Sequence, residues 1–342
     1  SKIADCQRVG QAVRRMLELN LRPLDILCKR SLCNAMVAIA AIGGSTNGVL
    51  HLLALAREAK IDFSLLDVQR ICRSTPVCCN FAPRGLGTMF DLHHAGGTGG
   101  LLKMLLHADL LDGQCMTVSG VTLEESLESI DVIQADNRFI ATPANAFKPY
   151  ADIQVCFGNL APDGIVFKVV SESQRTFRGQ AICFETARAV SDAAVLGKIK
   201  PGHIVVLRGL GPVASAMPEV HIAAVALSAP ELKNRVALLS DTRVSGVSSG
   251  AIGVHCAPEA AIGGPIGDVQ NGDWISFDLL QGIIHWESER PALTVAWKRD
   301  PNEPTYVREF ASMTTQANHG CVSHCAISRS KTQSTEPEQE GA

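Results

Sequence analysis

Between residues 153 and 287 the chain repeats short apolar runs, each too brief for a globular helix and each broken by turn residues. The runs fall at 153–157, 165–170, 179–184, 203–207 and 236–239, followed by WISFDL at 274–279 and IIHWE at 283–287. Runs of this length, separated by Gly, Pro, Asn and Asp, read as strands. Asn271-Gly272 gives a tight-turn signal just before the last pair, and Leu280–Gly282 turns between its two members. Many short strands with few helices predict a closed or nearly closed β-barrel. The change of character begins near residue 138, where Pro143 and Pro149 mark a linker.

The first part of the chain carries a different period. Val9, Val13, Met16 and Leu17 share one face of a helix over 7–19, and Pro23 follows its end. A second apolar helix is expected over about 32–42. Gly43-Gly44 interrupts it, and Ser45 or Thr46 caps the next, which carries Val49, Leu50, Leu53 and Leu55. Ser64 with Asp67, and Thr122 with Glu125, form capping-box pairs at two further helix starts. Gly96–Gly100 leads into LLKMLL, and a short strand is expected near Met116–Val118. The expected division is therefore helix-rich 1–137, a barrel over 138–325, and a polar, disordered tail over 326–342.

Composition excludes several classes. At 342 residues with 46% hydrophobic and 19% charged, the chain has the make-up of a globular protein large enough for two domains. A net charge of −3 lacks the basic face that nucleic-acid binding needs, so no nucleic-acid partner is expected. No apolar stretch runs to about 18 residues unbroken, so no membrane span is expected. Twelve cysteines without a compact framework read as thiols of a reducing compartment, mostly small core residues. Cys78-Cys79 belongs with that core group. His319, Cys321, His324 and Cys325 match no zinc spacing.

The segment LLSDTRVSGVSSG at 238–250 carries the chemistry. A strand ends at Ser240-Asp241, and a glycine-flanked turn presents Ser245 two positions after Arg243. Small residues let a ligand approach the backbone, an arginine can clamp a carboxylate, and a serine becomes reactive beside a base, metal or cation. SDTRVSG resembles the T-D-G/A-R-x-S-G signature of the dihydroxy-acid and sugar-acid dehydratase family. Further motifs follow in that family's order: AIGGSTNGVLHLLALA at 41–56, DLHHAGG at 91–97, GNLAPDG at 158–164, RGLGPVASAMPEV at 208–220, CAPEAAIGGPI at 256–266, NGD at 271–273 and QANHGC at 316–321. The likeness spans roughly residues 5 to 321.

The resemblance implies the last part of the family's α/β domain, then a mainly β barrel domain with flanking helices. It implies a hydro-lyase that dehydrates a 2,3-dihydroxy acid, either a sugar acid or a branched dihydroxy acid, to a 2-keto-3-deoxy acid. Ser245 matches the family's base and Glu219 its magnesium ligand. Arg243 and Asp241 either orient the serine turn or pair with each other. Ser45, Thr46 and Asn47 stand at a helix start, where free N–H groups attract anions or a cap simply closes the helix. Family members hold Mg2+ and a [2Fe-2S] or [4Fe-4S] cluster, whose cysteine and acidic motifs are missing here. The chain accordingly reads as a C-terminal portion that holds neither cofactor alone and is inactive as such. A homo-oligomer in the cytoplasm or mitochondrion, acting on a small hydroxy acid, is the expected setting. The alternative is a non-catalytic homologue that binds a ligand or partner. Departures favour that alternative: Val213–Ala216 replace a lysine and glycines, Pro83–Leu86 lose a serine and a lysine, and Val247 stands where sugar-acid members have threonine. SDTRVSG nonetheless lies nearer the sugar-acid branch.

Overall fold

The computed structural model describes residues 2–323 apart from 83, 137, 247, 249 and 289–301; the tail expected to be disordered lies outside the described residues. Helices fill the first part: α1 (Lys2–Glu18), α2 (Pro23–Ile26), α3 (Lys29–Ala41), α4 (Thr46–Glu58), α5 (Leu65–Ser74), α6 (Met89–His94), α7 (Gly97–His107) and α8 (Leu123–Leu127). The capping boxes form where expected, Ser64 with Asp67 on α5 and Thr122 with Glu125 on α8. Each pair satisfies N–H groups that a helix start leaves unbonded. The strand expected at Met116–Val118 does not form. Thr117 N donates to Val121 O at 2.9 Å and Gly120 N to Thr117 O at 3.0 Å, closing a local turn that leaves Met116 a single bridge to Thr122.

Leu32, Met36, Val37 and Ala40 of α3 pack with Val49, Leu52 and Leu53 of α4 and Val68 and Ile71 of α5. Burial of each such large side chain stabilises the fold by about 1.5–3 kcal/mol. α1 differs. Ile3, Val9, Val13 and Leu17 are 75%, 64%, 51% and 77% exposed, so its apolar face has no cover among the described residues.

Eight strands close a barrel: β1 (Ile153–Gly158), β2 (Ala161–Lys168), β3 (Thr176–Phe184), β4 (His203–Leu207), β5 (Ala237–Ser240), β6 (Ala251–Ala257), β7 (Trp274–Asp278) and β8 (Ile283–Glu287), in the order β1-β2-β6-β5-β4-β3-β7-β8. β3, β4, β5 and β6 run parallel, and a single parallel pair, Phe157 with Ile283, joins β1 to β8. α9 (Ala187–Val195) crosses from β3 to β4; α10 (Pro212–Ser215) and α11 (His221–Ala226) lie between β4 and β5. After the barrel come α12 (Thr305–Met313) and a 3-10 turn at Ala317–His319.

The side-chain alternation of strands divides the barrel into three buried layers. Ile165, Phe167, Ile204, Val206, Leu239 and Phe277 fill the interior. Val205, Leu207 and Leu238 point outward under α9 and α11. Ile153, Val155 and Val166 point outward under α3 and α5, joining the barrel to the helical core.

Candidate active site

Because β5 and β6 are parallel neighbours, residues 241–250 must return along the outside of the barrel before β6 can begin. Ser245 lies on this return, half-buried. The segment is held from two sides. On one, Glu219 and Arg243 form a β-bridge, Val220 N donates to Arg243 O at 3.1 Å, and Arg243 Nε donates to Met217 O at 3.0 Å. Thr242 Oγ1 donates to Pro218 O. On the other side lies the junction of α3 and α4. Asn47 Nδ2 donates to Val244 O at 3.2 Å, and Ser45 packs so closely on Gly246 that a Cβ there would sit 3.0 Å from Ser45 Cβ. A side chain there would press on Ser45, so glycine suits the approach. The fold thus brings Glu219, Asp241, Arg243, Ser245, Ser45 and Asn47 to one place, with Thr46 buried as the first residue of α4. Ser45 is the N-cap, its Oγ accepting from Asn47 N at 3.2 Å.

Asp241 and Arg243 do not pair: among the described residues no ion pair joins them. The fully buried Asp241 carboxylate instead accepts from Gly209 N, Leu210 N and Ala260 N at 2.9, 3.0 and 3.2 Å. Burial pushes its carboxyl up, against the pull of those three N–H groups. Glu259, not singled out from the sequence, repeats the device. It accepts from Val213 N at 3.0 Å, Ala214 N at 2.7 Å and Gln316 Nε2 at 2.8 Å, and burial pushes it up as well. Two inward carboxylates therefore fasten the 209–214 loop, which leads to the exposed Glu219. Its continuation is tight: Ala216 and Met217 both adopt left-handed backbone, with φ of 57° and 56°.

Two more residues were not selected from sequence. His255, also at left-handed φ (57°), is buried with no partner on Nε2 among the described residues. Burial, then Arg243, then His51 hold its pKa down to about 3, so the ring is neutral. Lys168 ends β2, where the lone cation in IVFKVV was the available signal. Its Nζ donates to Gly246 O at 2.9 Å and Gly43 O at 3.3 Å. Nearby, the buried Asp152 carboxylate is bridged by Arg84 and by Lys148 at 3.2 Å.

Residues 138–321 match the family model for the C-terminal domain of dihydroxy-acid/6-phosphogluconate dehydratases, and residues 1–126 match the N-terminal model of the same family. The chain belongs to this dehydratase family. A dihydroxy-acid dehydratase of Francisella tularensis subsp. novicida is 37% identical over 328 residues, covering 94% of this chain and 58% of that protein. A chloroplastic dihydroxy-acid dehydratase of Arabidopsis thaliana is 39% identical over 81% of this chain and 46% of its own length. A mitochondrial one of Penicillium brasilianum is 34% identical over 94% and 55%. The chain thus spans about half the length of these dehydratases.

Family membership suggests metal and cluster cofactors in general. Among the described residues no group of three or more His, Cys, Asp and Glu side chains is arranged to hold a metal. Burial pushes the thiols of Cys72, Cys78, Cys79 and Cys156 up to about 12. Such thiols stay protonated, whereas cluster ligation takes thiolates. Glu219 offers the hard oxygen that magnesium prefers, but the neighbouring acids Asp241 and Glu259 spend their oxygens on backbone N–H groups. The described residues therefore fit neither group by themselves. A cleft of about 910 Å3 opens between the end of α4 and the β1–β2 turn, lined by Arg57, Lys60, Asp62, Phe157, Asp163 and His319; no residue of the Ser245 return borders it. No helix among the described residues is long and apolar enough to cross a membrane.

Proposed function

We propose that this chain carries the serine-bearing part of a hydro-lyase acting on a 2,3-dihydroxy acid. The reaction takes the C2 proton and expels the C3 hydroxyl as water, leaving an enol that becomes the 2-keto-3-deoxy acid. Ser245 is the base. The single observation that supports this is its backbone, fixed between the Glu219 loop and the start of α4 within the family's own motifs. A serine hydroxyl is a feeble base without a neighbouring cation or metal. Since the described donors fit neither cofactor alone, the chain by itself is proposed to be inactive. Magnesium at Glu219 and an iron–sulfur cluster belong to the intact arrangement.

The relatives' names favour a dihydroxy acid, whereas SDTRVSG favours a sugar acid; both are small hydroxy acids. We place the protein in a reducing compartment, cytoplasmic or mitochondrial, as a homo-oligomer with neither nucleic-acid nor membrane partner. The exposed face of α1 supports the self-association.

A second reading, a non-catalytic homologue, is favoured by Ala216. The family pattern has glycine there, and alanine in left-handed backbone costs about 1–2 kcal/mol. The test joins this chain to the remainder of the Francisella dehydratase and supplies iron, sulfide and magnesium anaerobically. Expected is lyase activity on dihydroxyisovalerate, arabinonate, xylonate or gluconate, falling at least about 100-fold in Ser245→Ala. A folded, metal-loaded chimera inert on every acid would favour the second reading. Near-normal rates in Ser245→Ala would remove Ser245 as the base.

A further inference from the structure

Lys168 occupies a place where the strand pattern calls for an apolar side chain. On β2, Ile165 and Phe167 face the barrel interior, and Val166 and Lys168 face outward, beneath the helical layer. Val166 joins the apolar core there, whereas Lys168 is 5% exposed with an ammonium to satisfy. An ion in such a position costs several kcal/mol unless its protons are bonded. They are bonded to two backbone carbonyls from distant parts of the chain, Gly43 before the N-cap of α4 and Gly246 after Ser245. Among the described residues no other donor reaches either carbonyl.

The peptides around Ser245 are thereby anchored twice. The carbonyl before it, on Val244, accepts from Asn47 Nδ2, and the carbonyl of Gly246, one residue beyond it, accepts from Lys168 Nζ. Holding the chain at the peptide before Ser245 and at the carbonyl one residue beyond it restrains the turn that presents Ser245. An ammonium can span the two segments because it carries three donors on a flexible stem. Burial holds its pKa below the ordinary lysine value, with the Asp152 carboxylate opposing that shift and Arg84 adding to it.

We propose that Lys168 is a positioning residue for Ser245, tying the return between β5 and β6 to the start of α4 through the Gly246 and Gly43 carbonyls. This rests on Ser245 being the reactive serine, but the tie itself can be read without turnover. Hydrogen exchange of this chain would be compared among wild type, Lys168→Met, Lys168→Ala and Lys148→Met. Lys148 is the control, a second buried lysine that bonds Asp152 and Val169 O. Expected in Lys168→Met is at least tenfold faster exchange in peptides covering 43–48 and 241–248, with β4 unchanged. Lys148→Met should leave both segments at the wild-type rate. Ethylammonium should restore protection in Lys168→Ala, which covers the case in which Lys168→Met fails to fold. In the active chimera, Lys168→Met should lower kcat at least tenfold with little change in KM. Unchanged local exchange, an equal effect of Lys148→Met, or no response to ethylammonium would overturn the tie. Wild-type kcat alongside faster local exchange would overturn the positioning role while leaving Ser245 as the base.

Discussion

Asp241 was a candidate site residue in the sequence, and its contacts differ from those the sequence suggested. Its place in SDTRVSG suggested a partner two positions away, yet the carboxylate turns inward to three N–H groups from two other loops, a choice that depends on strand order. Glu259 sits in a motif that sequence could flag, CAPEAAIGGPI, without revealing that it would be buried beneath another loop. Its displaced carboxyl has a consequence for stability. Because burial raises its folded-state pKa above the unfolded 4.5, folding favours the protonated form. The stability this group contributes is present below 4.5 and is lost as pH rises through the folded value. Wild type should therefore gain stability relative to Glu259→Gln as pH falls from 7 toward 4.5, by at most about 1.4 kcal/mol per pH unit. Denaturant unfolding at several pH values measures the difference. A gap that stays constant would show that the N–H groups cancel burial, and one that widens the other way would show that they outweigh it.

At the level of elements, strands that read as unbroken apolar runs, such as those of β4 and β5, were found, and an interrupted one was not. β6 was missed because glycine and histidine interrupt the apolar run in AIGVHCA. Gly253 there admits the side chains of Phe167, Ile165 and Leu239, each within 2.9 Å of where a Cβ would lie. The sites of α9 and α11 also escaped notice, since short alanine-rich segments between strands give little periodic signal. The closure of the barrel was expected, but not its joint. β1 meets β8 at one bridging pair, and a Cβ on Gly158 would lie 1.7 Å from Ile284 O. Gly158→Ala must push that joint apart and should cost about 1–3 kcal/mol or more. Chemical denaturation should show this loss together with faster amide exchange in β1 and β8. A variant as stable as wild type would mean that the joint has slack.

For the whole molecule, the order of parts was readable from the shift in period near residue 138, whereas the contacts between parts were not. Sequence could not show that Asn47 and Lys168, far apart in the chain, converge on the peptides around Ser245. Nor could it show that the face formed by Ile3, Val9, Val13 and Leu17 would lie open. An open face of this kind favours association. The proposed self-association should appear as a sedimentation coefficient that rises with concentration and falls back in Val13→Asp/Leu17→Asp. A wild-type chain that stays a compact monomer at high concentration would contradict it. The shared hold on Val244 and Gly246 also limits how such a chain can be shuffled. A barrel exchanged between relatives would bring its own serine return but meet a foreign α3–α4 junction, so a recombination point outside the span from Gly43 to Gly246 is the one that keeps both partners of this hold together.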